Sequence, residues 1–321
     1  MEDALRRMGA KLKRLLSQLR PAKPRQTNVL TRATDDYVEL LQQRFEQAHR
    51  EGDLAAALDL FDRLAEYRYL AMAQERGFDP SRPSVISSFA PKSGGTFIHN
   101  RMLEAGFKEY WWFFPNYKSH SWCIPSYQAL PRYLAGGCTS HSHFLPEEHL
   151  IRALDAHGVD KIWVHLRNPA ECVVSAYHHF HGRGHGKGEV AEQRRAQAAA
   201  EAKMLGMRLE ESVSDFAAQY FDFFVDWAEA WLKYAAAQPG RVTFSYFSEL
   251  ADPQAMFQRV FNELGLGHST GISRRPKSTD RFRKKIASDW RSNVESEVGD
   301  QIESAMGERL RHFSGYQRLC A

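Results

Sequence analysis

The 321-residue chain has no run of the roughly 20 apolar residues that a membrane-crossing helix needs. Charges interrupt every apolar stretch near its start, which argues against a secretory signal. It is poor in cysteine: Cys123, Cys138, Cys172 and Cys320 form no CxxC pair and no metal-ligand spacing. Neither a disulfide framework nor a structural metal is expected, and buried thiols in a reduced, cytoplasmic protein are. The net charge is only +4, too small for a general polyanion binder, so no nucleic-acid partner is expected. There is no internal repeat.

What is present is an ordinary globular composition, 43% hydrophobic and 26% charged. The first 25 residues hold eight Lys/Arg and two acidic residues. Leu5, Met8, Leu12, Leu15, Leu16 and Leu19 fall near helical spacing and leave a basic opposite face. Two readings stand: a helix touching an anionic membrane through residues 1–20, or a solvated or partner-packed helix. Pro21 and Pro24 end it. From Thr34 to about Gly77 the pattern predicts a helix pair, capped at Thr34 or Asp35 and broken at Gly52-Asp53.

The pattern changes at Ser81-Arg82-Pro83. Three short apolar runs, Val85–Ala90, Lys161–Leu166 and Arg241–Phe247, read as buried parallel strands separated by helical segments. The expected fold is α/β: an open parallel sheet flanked by helices over residues 81–321, with a basic, helical extension over residues 1–80. In such sheets ligands sit beyond the carboxyl ends of the strands.

The loop after the first strand is Pro91-Lys92-Ser93-Gly94-Gly95-Thr96-Phe97. Gly94 and Gly95 let backbone amides turn inward around an anion, and the following helix adds its positive dipole end. Lys92 supplies a full charge; Ser93 and Thr96 supply hydroxyl donors. The order differs from the GxxxxGK[ST] loop of nucleotide hydrolases, because the lysine precedes the glycines and no Lys-Ser/Thr pair closes the loop for magnesium. Arg167 ends the second strand as a fork of donors suited to a phosphate monoester, or to a structural ion pair. Asn168-Pro169 starts a helix, placing Ser175 about two turns in.

The lysine-first loop resembles the PKSGTT loop of PAPS-dependent sulfotransferases, PAPS being 3′-phosphoadenosine 5′-phosphosulfate. Gly95 stands where that family usually has a threonine, and Phe97 where cytosolic members often have a tryptophan. The phrase from Val164 to Tyr177, with Arg167-Asn168-Pro169 and Ser175-Ala176-Tyr177, is similar to the family's 3′-phosphate motif. Phe282-Arg283-Lys284-Lys285 with Asp289-Trp290 looks like its FRKG…GDW segment, Lys285 replacing the glycine. A weaker alignment places Tyr220 near the adenine and Trp231 in the core. The resemblance runs from about Val85 to Trp290. It implies a P-loop-like fold and a sulfuryl transfer from PAPS to a hydroxyl or amine of a small-molecule or lipid acceptor, leaving adenosine 3′,5′-bisphosphate. It also implies donor contacts at Lys92, Ser93, Gly94, Gly95, Thr96, Phe97, Arg167, Ser175, Tyr220, Arg283, Lys284 and Lys285, with no metal required.

Such a transfer needs a base for the acceptor's proton, and a neutral imidazole serves near pH 7. Thr139-Ser140-His141-Ser142-His143-Phe144-Leu145-Pro146 offers two histidines at alternate positions, on one face if extended. His143 matches the family's catalytic histidine more closely; His141 falls where cytosolic members have a lysine, and is the second candidate. Two rival readings remain: a kinase or nucleotide hydrolase, which would need an acidic magnesium ligand where Arg167 stands, and a non-catalytic binding protein on the same fold. The oligomeric state is not readable.

Overall fold

The computed structural model describes residues 27–74, 82–115, 123–182, 212–267 and 290–320. The candidate cations Arg283, Lys284 and Lys285 and the basic segment 1–20 lie outside these residues. The chain divides into two compact units, residues 1–67 and 68–321, with the division inside the second helix. Among the described residues no helix is long and apolar enough to cross a membrane.

In the first unit, α1 (Thr27–Glu51) and the start of α2 (Leu54–Gln74) form an antiparallel pair. Gly52 adopts φ 78° between them, and the Asp53 carboxylate caps the amide of Ala56. Leu41 and Phe45 from α1 are buried, as are Ala57, Phe61 and Leu64 from α2; the rings of Phe45 and Phe61 are 6.1 Å apart. The helix does not begin at Thr34 or Asp35, as the capping residues suggested. No proline or glycine lies between Pro24 and Gly52, so nothing stops the hydrogen-bond ladder from running back to Thr27.

The second unit is mixed α/β, a small parallel sheet flanked by helices. Its strands β1 (Ser87–Phe89), β6 (Ile162–Leu166) and β7 (Val242–Tyr246) lie in the order β1-β6-β7. The register sets Phe89 beside His165, and His165 beside Ser245. Between β1 and β6 come α3 (Gly95–Glu104), β2 (Lys108–Glu109), β3 (Phe113–Pro115), β4 (Cys123–Pro125), α4 (Ala129–Leu134), β5 (Cys138–Thr139) and α5 (Glu148–Ala156). The two-residue strands β2 and β5 carry too little pattern to be read from sequence. They matter nonetheless: β5 pairs with β2, and a bridge from Thr139 to Val85 brings its continuation alongside β1. The Phe89 amide donates to the Ser142 carbonyl, so residues 139–143 border β1 on the side away from β6.

Alternation along β6 divides the core. Trp163 and His165 face one way. Trp163 is fully buried and meets Phe257 edge-on at 5.5 Å, in a cluster with Phe89, Ile98, Met102 and Val260 from β1, α3 and α8 (Pro253–Glu263). On the other face Ser88 donates to the Phe144 carbonyl, which also accepts from Trp231 Nε1 on α7 (Val213–Ala237). Burial pushes the thiol of Cys138 up to about 11 and that of Cys172 up to about 12, so both remain protonated at neutral pH.

Helix α6 (Pro169–Gly182) packs along α7, and α9 (Ser296–Leu310) packs on both. Arg309 of α9 ties this layer together through Asp222, Asp226 and Glu229, all on one face of α7. Glu229 is 14% exposed, whereas Asp226 and Asp222 are 48% and 80% exposed, so the effect comes from the network sharing one guanidinium rather than from any single surface pair. Arg309→Ala should lower unfolding stability by about 1–2 kcal/mol, and the loss should shrink in high salt. Denaturant midpoints at two ionic strengths measure this; an unchanged midpoint would show that the cluster is mere surface decoration.

Candidate functional site

The carboxyl ends of β1 and β6 and the extended segment 139–143 meet at one edge of the second unit. Each brings a candidate side chain. The loop after β1 carries two successive departures from ordinary backbone: Lys92 at φ 65° and Gly94 at φ 93°. For lysine the left-handed region costs about 1–2 kcal/mol, so something must hold it there. Arg167, at the end of β6, does so: its Nη1 donates to the Lys92 carbonyl at 2.8 Å. Its Nε donates to Glu171 at 2.8 Å, and its guanidinium stacks 4.1 Å above the Phe247 ring. Arg167 is therefore a clamp on the loop. The i,i+4 spacing of Arg167 and Glu171 was the sequence signal for this pair.

Beneath the loop lies a buried network that the sequence reading missed. His165 Nε2–H donates to the Ser93 carbonyl at 2.9 Å. Its Nδ1 must then accept, and it takes the Ser245 hydroxyl proton at 2.7 Å. That hydroxyl oxygen in turn accepts from Trp163 Nε1 at 2.7 Å. Every donor and acceptor in the chain is used, with the imidazole neutral. Burial holds His165 near a pKa of about 3, with Arg167 adding to the depression and the Ser93 carbonyl opposing it. A histidine on a strand of otherwise apolar residues was the only trace of this in the sequence.

The first turn of α3 has no side-chain cap. The Ser93 hydroxyl is fully buried and has no hydrogen-bond partner among the described residues. Thr96 is exposed at the same helix start. An uncapped helix end, a left-handed turn and an orphaned buried hydroxyl together suit an oxyanion. Phe97 takes a different place: it is 8% exposed, belongs to the hydrophobic cluster, and carries the Arg101 guanidinium 5.1 Å from its ring centroid.

Gly95 is required by its neighbours. A Cβ there would lie 2.7 Å from His141 Nε2 and 2.8 Å from Phe89 Cβ. The imidazole of His141 thus occupies space that a side chain at position 95 would need, and stacks on Phe89 at 5.5 Å. His143 sits 4.8 Å from His141, ring to ring, so the two do share a face. His143 Nδ1–H donates to the Phe89 carbonyl at 2.6 Å, which leaves Nε2 as the acceptor nitrogen. Trp227 Nε1 steadies the segment through the His143 carbonyl at 3.2 Å. Burial lowers both imidazoles: His143 to about 4, with Lys92 contributing and the Phe89 carbonyl opposing, and His141 well below the usual range, with His143, His99 and Lys92 contributing. Both are neutral at pH 7.

Of the remaining candidates, Ser175 is half-buried on α6 and Tyr220 half-buried on α7, its ring 4.7 Å from Phe216. No group of three or more His, Cys, Asp or Glu placed to hold a metal ion occurs among the described residues. Comparison of the chain with protein-family models, with characterised proteins and with solved structures finds no match.

Two outcomes follow from this geometry. Gly95→Ala should destabilise by about 1–3 kcal/mol, because the rigid Phe89 cannot retreat. A thermal midpoint equal to wild type would contradict the close contact. The histidines also set an acid limit. An unfolded chain protonates its imidazoles near pH 6.5, whereas the fold keeps His143 and His165 neutral down to about 4 and about 3. Between those limits protons favour the unfolded chain, so stability is full above about pH 7 and falls as pH drops from about 6.5 towards 3. His143→Asn keeps a donor for the Phe89 carbonyl but cannot titrate, and should flatten the upper part of that fall. A thermal midpoint that does not change from pH 7 to pH 4 would count against buried neutral imidazoles.

Proposed function

We propose that the second unit is a PAPS-dependent sulfotransferase domain on a P-loop-like α/β fold. The observation that carries this reading is the lysine-first loop: Lys92 and Gly94 in left-handed conformation at an uncapped helix start, with a neutral imidazole tied to the residue that ends the preceding strand. The buried hydroxyl of Ser93, which has no partner among the described residues, and the exposed Thr96 fit the 5′-phosphate end of such a donor. When bound, the donor supplies an activated sulfuryl group.

The chain's own residues would then divide the work. Lys92 and the amides at the start of α3 hold the phosphate and stabilise negative charge on the leaving oxygen. His143 Nε2 removes the acceptor's proton, since its Nδ1 is committed to the Phe89 carbonyl. Arg167 takes the 3′-phosphate in competition with Glu171, alongside Ser175; Arg283, Lys284 and Lys285 assist, and Tyr220 lies towards the adenine. The acceptor is a hydroxyl or amine on a small molecule or lipid, and the protein works in the cytoplasm. The rival kinase reading is disfavoured by the clamp: Arg167 occupies the strand end where a magnesium-binding carboxylate would stand.

Calorimetry decides. Adenosine 3′,5′-bisphosphate should bind with divalent metal chelated, and ATP should bind much more weakly. A requirement for magnesium, or equal affinity for ATP, would refute the reading. Arg167→Ala should cost about 1.5–3 kcal/mol against the bisphosphate and less against adenosine 5′-monophosphate. Lys92→Ala should impair donor binding and turnover together. His143→Asn should leave donor affinity intact and lower turnover about 10²–10⁴-fold.

A further inference from the structure

Gly95 and His99 stand four residues apart on one face of α3, the face turned to His141. The glycine leaves room for the His141 ring, and His99 follows one turn later with its ring centroid 6.0 Å from that of His141. His99 is 6% exposed, and among the described residues neither of its ring nitrogens has a hydrogen-bond partner. Its Nε2 lies 3.5 Å from Glu109 Oε1, within reach of an ion pair but not aligned as a hydrogen bond. The Glu109 side chain is 48% exposed at the end of β2 and is fixed by Trp111 Nε1 at 3.0 Å. With His143 4.8 Å from His141, three imidazoles run in file from the loop to a surface carboxylate. The 6.0 Å step is too long for direct ring-to-ring hydrogen bonding, so a proton path through it needs a bridging water. Lys92 is a further charge acting on the file.

A bland reading exists: His99 and His141 as fillers of a core. It does not account for a buried ring whose nitrogens make no hydrogen bond among the described residues, which costs about 1–3 kcal/mol for each unsatisfied group. We propose that His143, His141, His99 and Glu109 form a proton path that leads from His143 to the exposed Glu109 carboxylate. The path rests on the proposed role of His143 as base. A proton taken from the acceptor makes His143 cationic beside Lys92, which repels that charge. Because His143 Nδ1–H stays on the Phe89 carbonyl, the proton accepted at Nε2 leaves again from Nε2 to His141; His141 passes one to His99, and His99 passes one to Glu109, which releases it to water. Each ring accepts one proton and yields one, so all three end neutral. His141 and His99 are positioning residues in this scheme, acting on the reaction only through His143.

The test reads proton movement directly, in the full chain without donor or acceptor. Imidazole N–H exchange with water, measured by nitrogen-15 NMR, should be fast at His141. It should be slow at His165, whose N–H is locked onto the Ser93 carbonyl. Glu109→Gln and His99→Phe should each slow His141 exchange by about tenfold or more, the factor that about 1.4 kcal/mol of added barrier produces. His165 exchange should not change, which separates a blocked path from a loosened core. Unchanged His141 exchange in both variants overturns the path. If sulfuryl transfer is observed, His99→Phe should also preserve the first turnover, slow later ones, and recover on addition of free imidazole; failure of that rescue equally overturns it. Slowed exchange in a protein that shows no sulfuryl transfer would leave the path standing and refute the proposed function alone.

Discussion

The hydrogen bond from His165 Nε2 to the Ser93 carbonyl joins residues 72 positions apart, and the edge of the second unit is organised around it. On one side it is anchored to the middle of the sheet through Ser245 and Trp163. On the other it sets the height of the loop that begins α3. A neutral, fully satisfied imidazole is needed: a proton on Nδ1 would meet the hydroxyl that now donates to it. In a low-dielectric interior such a mismatch is costly, and burial, with Arg167 nearby, already holds the His165 pKa down. Arg167 adds the second restraint by holding the Lys92 carbonyl, and so the left-handed turn, in place. Strain in the loop is thus offset by bonds made one strand away.

The same edge keeps its histidines neutral by two means. Burial removes water from the imidazoles, and Lys92 repels any proton that arrives. One cation near several imidazoles keeps them basic in form but uncharged, the state that a general base requires. The hydrogen bond from Nδ1 to Phe89 then selects which nitrogen of His143 faces outward. Position 95 completes the arrangement. The absence of a side chain there and the presence of His141 are two sides of one packing solution, since both cannot occupy the same space.

Much of this was legible in the sequence. The three strands were visible because a strand covered on both faces carries no charged residue and few large polar ones, as in Ile162–Leu166 apart from its histidine. The loop was visible because glycines next to a lysine and small hydroxyls have few other uses at a strand end. The helix pair was visible from its 3.6-residue period and its break at Gly52. Its start was not, because a capping residue inside an unbroken helix former is indistinguishable from one at the end until the hydrogen bonds are known.

What the chain's own order of residues determined, then, is which segments form strands, which loop turns sharply into a helix, and which side chains bring charge or an imidazole. Only the tertiary structure decided their partners. Nothing local says that Arg167 closes on the Lys92 carbonyl, that Phe97 turns into the core, or that His99 lines up behind His141. Those outcomes depend on side chains distant in sequence competing for the same volume and the same lone pairs. Such competition is settled only when the sheet brings them together.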